Sequence, residues 1–448
     1  MLWQFFSKIM LKSRPFSLAL LILGLTTGCT AEASKSIAPQ VISSPASLPS
    51  SQSPFVLAAT TSPDAATSGT IQQYLKKLAS QGFSEKSQGV WMQSGTTLLV
   101  NHQGTTPLSA ASLTKVATSL AALQTFGVDH RFVTEIGSTG LIENGVLKGD
   151  LIIQGGSDPL LVWEDAIALG NLLNQLQIRQ ITGNVIVVGR FYMNFEVDTQ
   201  KSGALLKQAF NAATWTEEVK AQHLTLPPGT PRPQVAIAGS VKVANTIPAN
   251  VKPLLRHQSL PLAELLKKMN RYSNNVMAEI IASTVGGAKV VSFKAAQAAN
   301  VPQSEVLLVN GSGLAAENRI SPRAVCAMFL AIERFLEPSK LTVADIFTVV
   351  GQDTGILDAR KIPTLAVTKS GSLDAVSALA GALPTTKKGV VWFVVMNGGS
   401  ANLEGFRSEQ ESLLQRLSSQ WGAAQTSPAE LSVNGERSGK ATVSERIN

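Results

Sequence analysis

Three apolar runs in the C-terminal third, TLAVTKSGSL, VSALAGAL and GVVWFVVMN, follow one another with very little chain between them. Runs this short and this rich in β-formers read as strands, and the turn PTTKKG joins the last two. A parallel pairing would need a crossover of about a dozen residues or more, so these strands are antiparallel neighbours. Helical periodicity lies before and after them. The chain is therefore expected to be α+β, with helices packed against an antiparallel sheet.

The same pattern reading divides the rest of the chain. IQQYLKKLAS spaces Ile71, Tyr74, Leu75 and Leu78 along one helical face. GVWMQSGTTLLVN reads as two strands around Ser94-Gly95, and Leu113, Val116, Ala117 and Leu120 return to helical spacing. From 127 to 255, β-rich runs such as GDLIIQGG and ITGNVIVVG sit beside glycine turns, which marks an inserted β-rich module. Helical character resumes in LPLAELLKKMNRYSNNVMAEIIAS, with a polar break at Tyr272–Asn275. Ser321 and Pro322 open a further helix as N-cap and first-turn residue. The main domain is thus expected over 71–126 and 256–423, interrupted by the insert.

Both ends read differently. Lys8, Lys12 and Arg14 precede the apolar run FSLALLILGL and then small residues, the pattern of an export signal. Gly28-Cys29 also resembles a lipoprotein processing site, which leaves lipidation of Cys29, plain cleavage and a retained anchor open. Residues 30–70 are rich in Ser, Pro, Ala and Thr and read as a disordered linker; 424–448 read as a disordered polar tail.

Composition excludes several functions. The net charge of +8 is spread along the 448 residues with no basic run, so nothing supports nucleic-acid binding. Cys29 and Cys326 are too far apart for a disulfide framework, and His102, His130, His223 and His257 are dispersed. No metal-ligand spacing is present and no cofactor is expected. Gly155–Pro159 lacks the lysine and spacing of a phosphate loop and reads as a turn. Cys326, Trp392 and Phe393 read as core, and His257 as a surface or domain-interface residue.

The chemistry lies in three short motifs. Ser112-Leu113-Thr114-Lys115 puts a serine and a lysine on one side of a helix, one turn apart. Alone, Ser-x-x-Lys carries little weight. Ser273-Asn274-Asn275 then supplies Ser-x-Asn at the polar helix break, and Lys369-Ser370-Gly371 supplies Lys-Ser-Gly on a strand. In that order they match the signature of serine β-lactamases and penicillin-binding proteins. A serine hydroxyl needs a base to become a nucleophile, and Lys115 serves only if burial and a second cation, Lys369, keep its amine partly neutral. Ser273 can relay a proton, and Asn275 can orient Lys115. Gly371 permits close approach of a substrate, and the backbone N–H groups of Ser112 and Ser372 are the expected oxyanion donors. A terminal carboxylate would meet Lys369, Ser370 and Ser372.

Beyond these motifs the chain resembles the D-Ala-D-Ala carboxypeptidases of penicillin-binding protein 4 type. SAASLTKVATSLAAL, GDLIIQGGSDPLL, VNGSGLAAENRISP and VVWFVVMNGG carry the resemblance, which spans most of 71–420. It implies a β-lactamase/transpeptidase-like core, Ser112 as the acylated nucleophile and Lys115 as its base. Ser273, Asn275, Lys369 and Ser370 would complete the site. Peptidoglycan stem peptides would be the substrates and β-lactams the inhibitors, at the periplasmic or outer face of a membrane. The chain departs from that family in its short insert, in Asn310 for the usual aspartate and in Ser370 for the commoner threonine. A serine β-lactamase or esterase on the same core, and a weakly catalytic peptidoglycan-binding module, are the alternatives the motifs leave open.

Overall fold

The computed structural model describes residues 56–58, 60–61, 64–399, 402–437 and 439–447. The export-type segment 1–29, including Cys29, and linker residues 30–55 lie outside the described residues.

The core sheet has seven strands: β1 (Thr60–Thr61), β2 (Gln88–Ser94), β3 (Thr97–His102), β4 (Thr348–Val349), β5 (Val367–Leu373), β6 (Val376–Thr385) and β7 (Gly389–Gly398). Their order is β1-β3-β2-β7-β6-β5-β4, antiparallel except for β1 against β3. The meander expected from the apolar runs is β5-β6-β7. Because side chains alternate across a strand, β6 and β7 bury both faces. Ala378, Ala380, Ala382, Trp392, Val394 and Met396 point into one core, while Leu379, Leu383, Phe393 and Val395 point into another.

Seven helices of the main domain concern the site: α1 (Ala65–Ser80), α2 (Thr114–Phe126), α3 (Leu262–Arg271), α4 (Asn275–Val285), α5 (Ala288–Ala299), α6 (Pro322–Leu336) and α7 (Leu403–Trp421). α1 and α7 cover one face of the sheet through Ile71, Tyr74, Leu78, Phe406, Leu413 and Leu417. α2 to α6 cover the other face, with α3 to α6 packed around α2, whose residues 114–123 are all buried. Ser321 caps α6 by accepting from the Ala324 N–H at 3.0 Å, with Pro322 in the first turn, so Cys326 and Phe329 fall in the core.

Three expectations need correction. The linker ends earlier than composition suggests: Asp64 accepts from the Thr67 N–H at 2.6 Å and starts α1 at Ala65, while Thr60–Thr61 pair with β3. A single capping carboxylate decides that boundary inside a stretch that otherwise looks featureless.

The insert is mixed rather than simply β-rich. Its main sheet runs Val241–Ala244, Val185–Arg190, Leu151–Gly156, Val133–Ser138 and Lys252–Gln258, in that spatial order. Val185–Arg190 is parallel to both of its neighbours, and parallel strands need crossovers. Helix Trp163–Gln175 precedes Val185–Arg190, and helices Thr199–Ala209 and Glu217–His223 follow it. All three contribute to the separate core of the insert, with Trp163, Leu206 and Val219 among the buried residues.

The polar tail is ordered across most of its length. Leu431 is 1% exposed and joins the core of the main domain. Asp345 Oδ1 accepts from the Asn434 N–H at 2.9 Å, and Thr442 Oγ1 donates to Asp165 Oδ1 at 2.8 Å. Val443–Arg446 then add an antiparallel edge strand to Lys252–Gln258 of the insert. His257 is wholly buried under this strand, its Nδ1 2.8 Å from Ser444 Oγ. Polar composition hides this segment because its stability comes from backbone pairing on an open sheet edge.

Leu431→Ala is expected to lower the unfolding free energy by about 2–4 kcal/mol, measured by urea denaturation. A tail that is disordered in solution predicts no change.

Candidate active site

Ser112 sits in a single 3₁₀ turn, Ala111–Leu113, that leads into α2. The residue before it, Ala111, has φ +44°, a left-handed conformation that a non-glycine residue enters only when its surroundings hold it there. Those surroundings are visible. The Ala110 N–H donates to the Asn318 carbonyl at 2.9 Å, and Asn318 Nδ2 donates to Thr114 Oγ1 at 3.1 Å. The nucleophile turn is thus pinned on both sides by one buried asparagine.

Lys115 follows in the first turn of α2 and has no exposed surface. Its amine donates to Ser112 Oγ at 3.0 Å, to Asn275 Oδ1 at 2.7 Å and to the Ser312 carbonyl at 2.7 Å. Ser273 and Asn275 come from the break between α3 and α4. Asn274 caps α4 by accepting from the Met277 N–H at 3.0 Å, and Ser273 takes φ +51° to turn the chain into that cap. Lys369, on β5, is 1% exposed and donates to Ser273 Oγ at 3.0 Å and to the Ser370 carbonyl at 2.5 Å. Two buried amines therefore bracket the two hydroxyls.

Burial pulls the Lys115 amine down to about 7, against a smaller opposing effect of the Glu279 carboxylate. Burial pushes Lys369 well below the ordinary lysine range, and the neighbouring Lys115 adds to this. The second lysine expected from the sequence is beside the first, but burial is what lowers the Lys115 amine, and burial acts against the charge on Lys369 as well.

Glycine makes the meeting of strand and helix possible. A Cβ on Gly371 would lie 2.9 Å from the Ser112 nitrogen and 3.0 Å from the Ala110 carbonyl oxygen. Ser370 is buried, and Ser372 Oγ accepts from Arg407 Nη2 at 3.1 Å. β4 pairs only with Val367 and Thr368, so among the described residues no strand covers the outer edge of residues 369–373. An extended peptide could add to that edge beside Ser112.

All of Ser112, Lys115, Ser273, Asn275, Lys369, Ser370, Gly371 and Ser372 thus converge on one place. Sequence reasoning missed part of the surrounding frame. Glu279 accepts from the Gly311 N–H at 3.1 Å and the Ser312 N–H at 2.8 Å. Thr118 Oγ1 donates to the Gly311 carbonyl at 2.7 Å. Asn310 Oδ1 accepts from the Gly313 N–H at 3.0 Å and from Asn318 Nδ2 at 2.8 Å. Glu279 was findable, since it lies one helical turn beyond Asn275 on the same face. Thr118 is likewise one turn beyond Lys115. Asn318 and Arg407 carry no such signal.

A serine with its own buried lysine, a second serine shared with a second lysine, and a strand edge beside them define a serine acyl-transfer enzyme of the penicillin-recognising fold. The chain belongs to the D-Ala-D-Ala carboxypeptidase 3 (S13) family, whose model matches residues 71–197 and 232–419. It is 26% identical over 356 residues to a carboxypeptidase of Mycobacterium tuberculosis, covering 69% of this chain and 75% of that protein. Its fold is similar to penicillin-binding protein 4 of Haemophilus influenzae, with a TM-score of 0.59 at 18% identity over 78% of this chain and 99% of that one. It is also similar to a predatory endopeptidase of Bdellovibrio bacteriovorus solved as its penicillin G acyl form. There the TM-score is 0.63 at 20% identity, over 76% of this chain and 94% of that one.

Asn318→Ala leaves the amides of Val309 and Asn310 and the Asn310 side chain without their buried partner. A loss of about 1–3 kcal/mol is expected, together with slower acylation of Ser112, checked by thermal unfolding and by the rate of penicillin labelling.

Proposed function

We propose that this chain removes the terminal D-alanine from peptidoglycan stem peptides through an acyl-enzyme on Ser112, and that β-lactams acylate the same serine. The setting of the Lys115 amine carries the proposal. A neutral amine has two N–H groups and one lone pair. Asn275 Oδ1 and the Ser312 carbonyl can only accept, so they take the two N–H groups and leave the lone pair facing Ser112 Oγ, 3.0 Å away. With burial holding the amine near 7, a large fraction of it is neutral at neutral pH.

In this mechanism Lys115 takes the hydroxyl proton as Ser112 Oγ bonds to the carbonyl carbon of the D-Ala-D-Ala bond. The backbone N–H groups of Ser112 and Ser372 face the oxyanion. The C–N bond breaks as the proton that Lys115 took from Ser112 passes to the departing nitrogen, relayed by the Ser273 hydroxyl. That hydroxyl gains one proton as it gives one up and lies 3.0 Å from the Lys369 amine; Lys115 returns to its neutral form. Water then hydrolyses the ester, with Lys115, neutral again, as the base. The hydroxyls of Ser370 and Ser372 and the Lys369 amine hold the terminal carboxylate of the substrate. Arg407, bonded to Ser372 Oγ, adds a permanent positive charge at that end. The export-type N-terminus, lipidated at Cys29 or not, would deliver this activity to the side of the membrane where peptidoglycan lies.

Fluorescent penicillin is expected to label the wild type and not Ser112→Ala, and D-alanine should be released from a pentapeptide. A labelled Ser112→Ala protein would sink the assignment. Turnover of a cross-linked muropeptide alongside the pentapeptide measures endopeptidase action directly.

The pH dependence has a definite sign. Below about pH 7 Lys115 is an ammonium with no lone pair to offer, and above it the amine is a base. The acylation rate should therefore rise with pH along a limb centred near 7, read from penicillin labelling between pH 5 and pH 9. A rate that falls through this range would exclude Lys115 as the base.

A further inference from the structure

We infer that Glu279 is a positioning residue for this reaction: its carboxylate holds the loop whose Ser312 carbonyl orients the Lys115 amine, and its charge couples to the proton on that amine. The inference rests on Lys115 being the base for Ser112.

Two sets of contacts support it. The first is geometric. Glu279 Oε2 and Oε1 each accept a backbone N–H, from Gly311 and Ser312 respectively, at 3.1 and 2.8 Å. The loop so held presents the Ser312 carbonyl, in the next peptide unit, to Lys115 Nζ at 2.7 Å. The same helix presents Asn275 Oδ1 to that amine from one turn earlier, at 2.7 Å. Both acceptors that fix the direction of the Lys115 lone pair therefore depend on α4, one directly and one through Glu279. A neutral glutamine cannot replace this clamp, because its amide has one acceptor oxygen where the loop offers two N–H donors.

The second is electrostatic. The three hydrogen-bond partners of Lys115 are neutral, and the titratable groups that face it across the site are Glu279 from α4, whose carboxylate acts on its proton, and the buried amine of Lys369 from β5. Burial favours the free amine, while Glu279 favours the ammonium and opposes it. Glu279 thus restrains how far the amine is deprotonated, so that it can take the serine proton and still hold it through the addition step.

The sign of the test follows. Removing the charge removes the one influence that favours the ammonium, so the acid limb of acylation must move to lower pH. In Glu279→Gln a shift of about one pH unit is expected, with a lower plateau because the loop is held by one acceptor. Glu279→Asp keeps the charge on a shorter stem and should keep the limb near that of the wild type while lowering the plateau. Thr118→Val is the neutral control. It removes the hydroxyl that donates to the Gly311 carbonyl at 2.7 Å and loosens the same loop without touching any charge. It should lower the plateau and leave the limb in place.

The readout is the penicillin acylation rate of Ser112 against pH, with thermal unfolding of each variant alongside. A Glu279→Gln limb that does not move, or a Thr118→Val limb that moves as far, overturns the charge coupling. Should Glu279→Gln fail to fold, a displaced limb in Glu279→Asp does the same. A wild type that penicillin does not acylate defeats the proposed function instead, so the two failures are distinguishable.

Discussion

The site depends on an amine taken fully out of water. Lys115 lies on a helix buried over its first three turns, and a charged ammonium there would cost several kcal/mol after relaxation. The protein does not offset that cost with an adjacent carboxylate. It surrounds the amine with a hydroxyl and two carbonyl oxygens, which suit the neutral form as well as the charged one. A direct carboxylate partner would have made a stable ion pair and an inert lysine. Glu279, one peptide removed, supplies a weaker influence and leaves the amine free to exchange its proton.

Three segments far apart in the chain must agree for this to hold. The nucleophile turn carries backbone strain at Ala111, and Asn318 stabilises it by binding chain on both sides. The break between α3 and α4 carries a second left-handed residue, Ser273, which aims its hydroxyl at Lys369. The strand approaches closely enough only because Gly371 has no Cβ. Strain and close approach are concentrated at the reacting groups, and the two cores on either face of the sheet hold them in register.

The polar C-terminal segment has a structural part in the same assembly. It is tied to the peptidase core at Leu431 and Asn434 and ends as an edge strand of the insert, over the buried His257. The insert is therefore fastened to the core at its two chain crossings and again by this strap. The parallel pairing of its strands and its crossover helices escape pattern reading because the runs are short and several are interrupted by glycine. Their pairing is decided by neighbours distant in sequence.

Local pattern carried much of this protein. The alternation in β6 and β7, the cap at Ser321 and the polar interruption before Asn275 are written within a few residues of the places where they act. So is the serine–lysine spacing, whereas the order of the three motifs is read across the whole length from 112 to 371. Residue type, spacing and the order of the three motifs together nominated Ser112, Lys115, Ser273, Asn275 and Lys369. What the tertiary structure decided is how those groups are tuned. Burial of both lysines, the Ser312 carbonyl, the Glu279 clamp, the Asn318 hub and the open edge of β5 arise from contacts between segments far apart in the chain. Desolvation and hydrogen-bond direction are properties of such surroundings, and no single segment contains them.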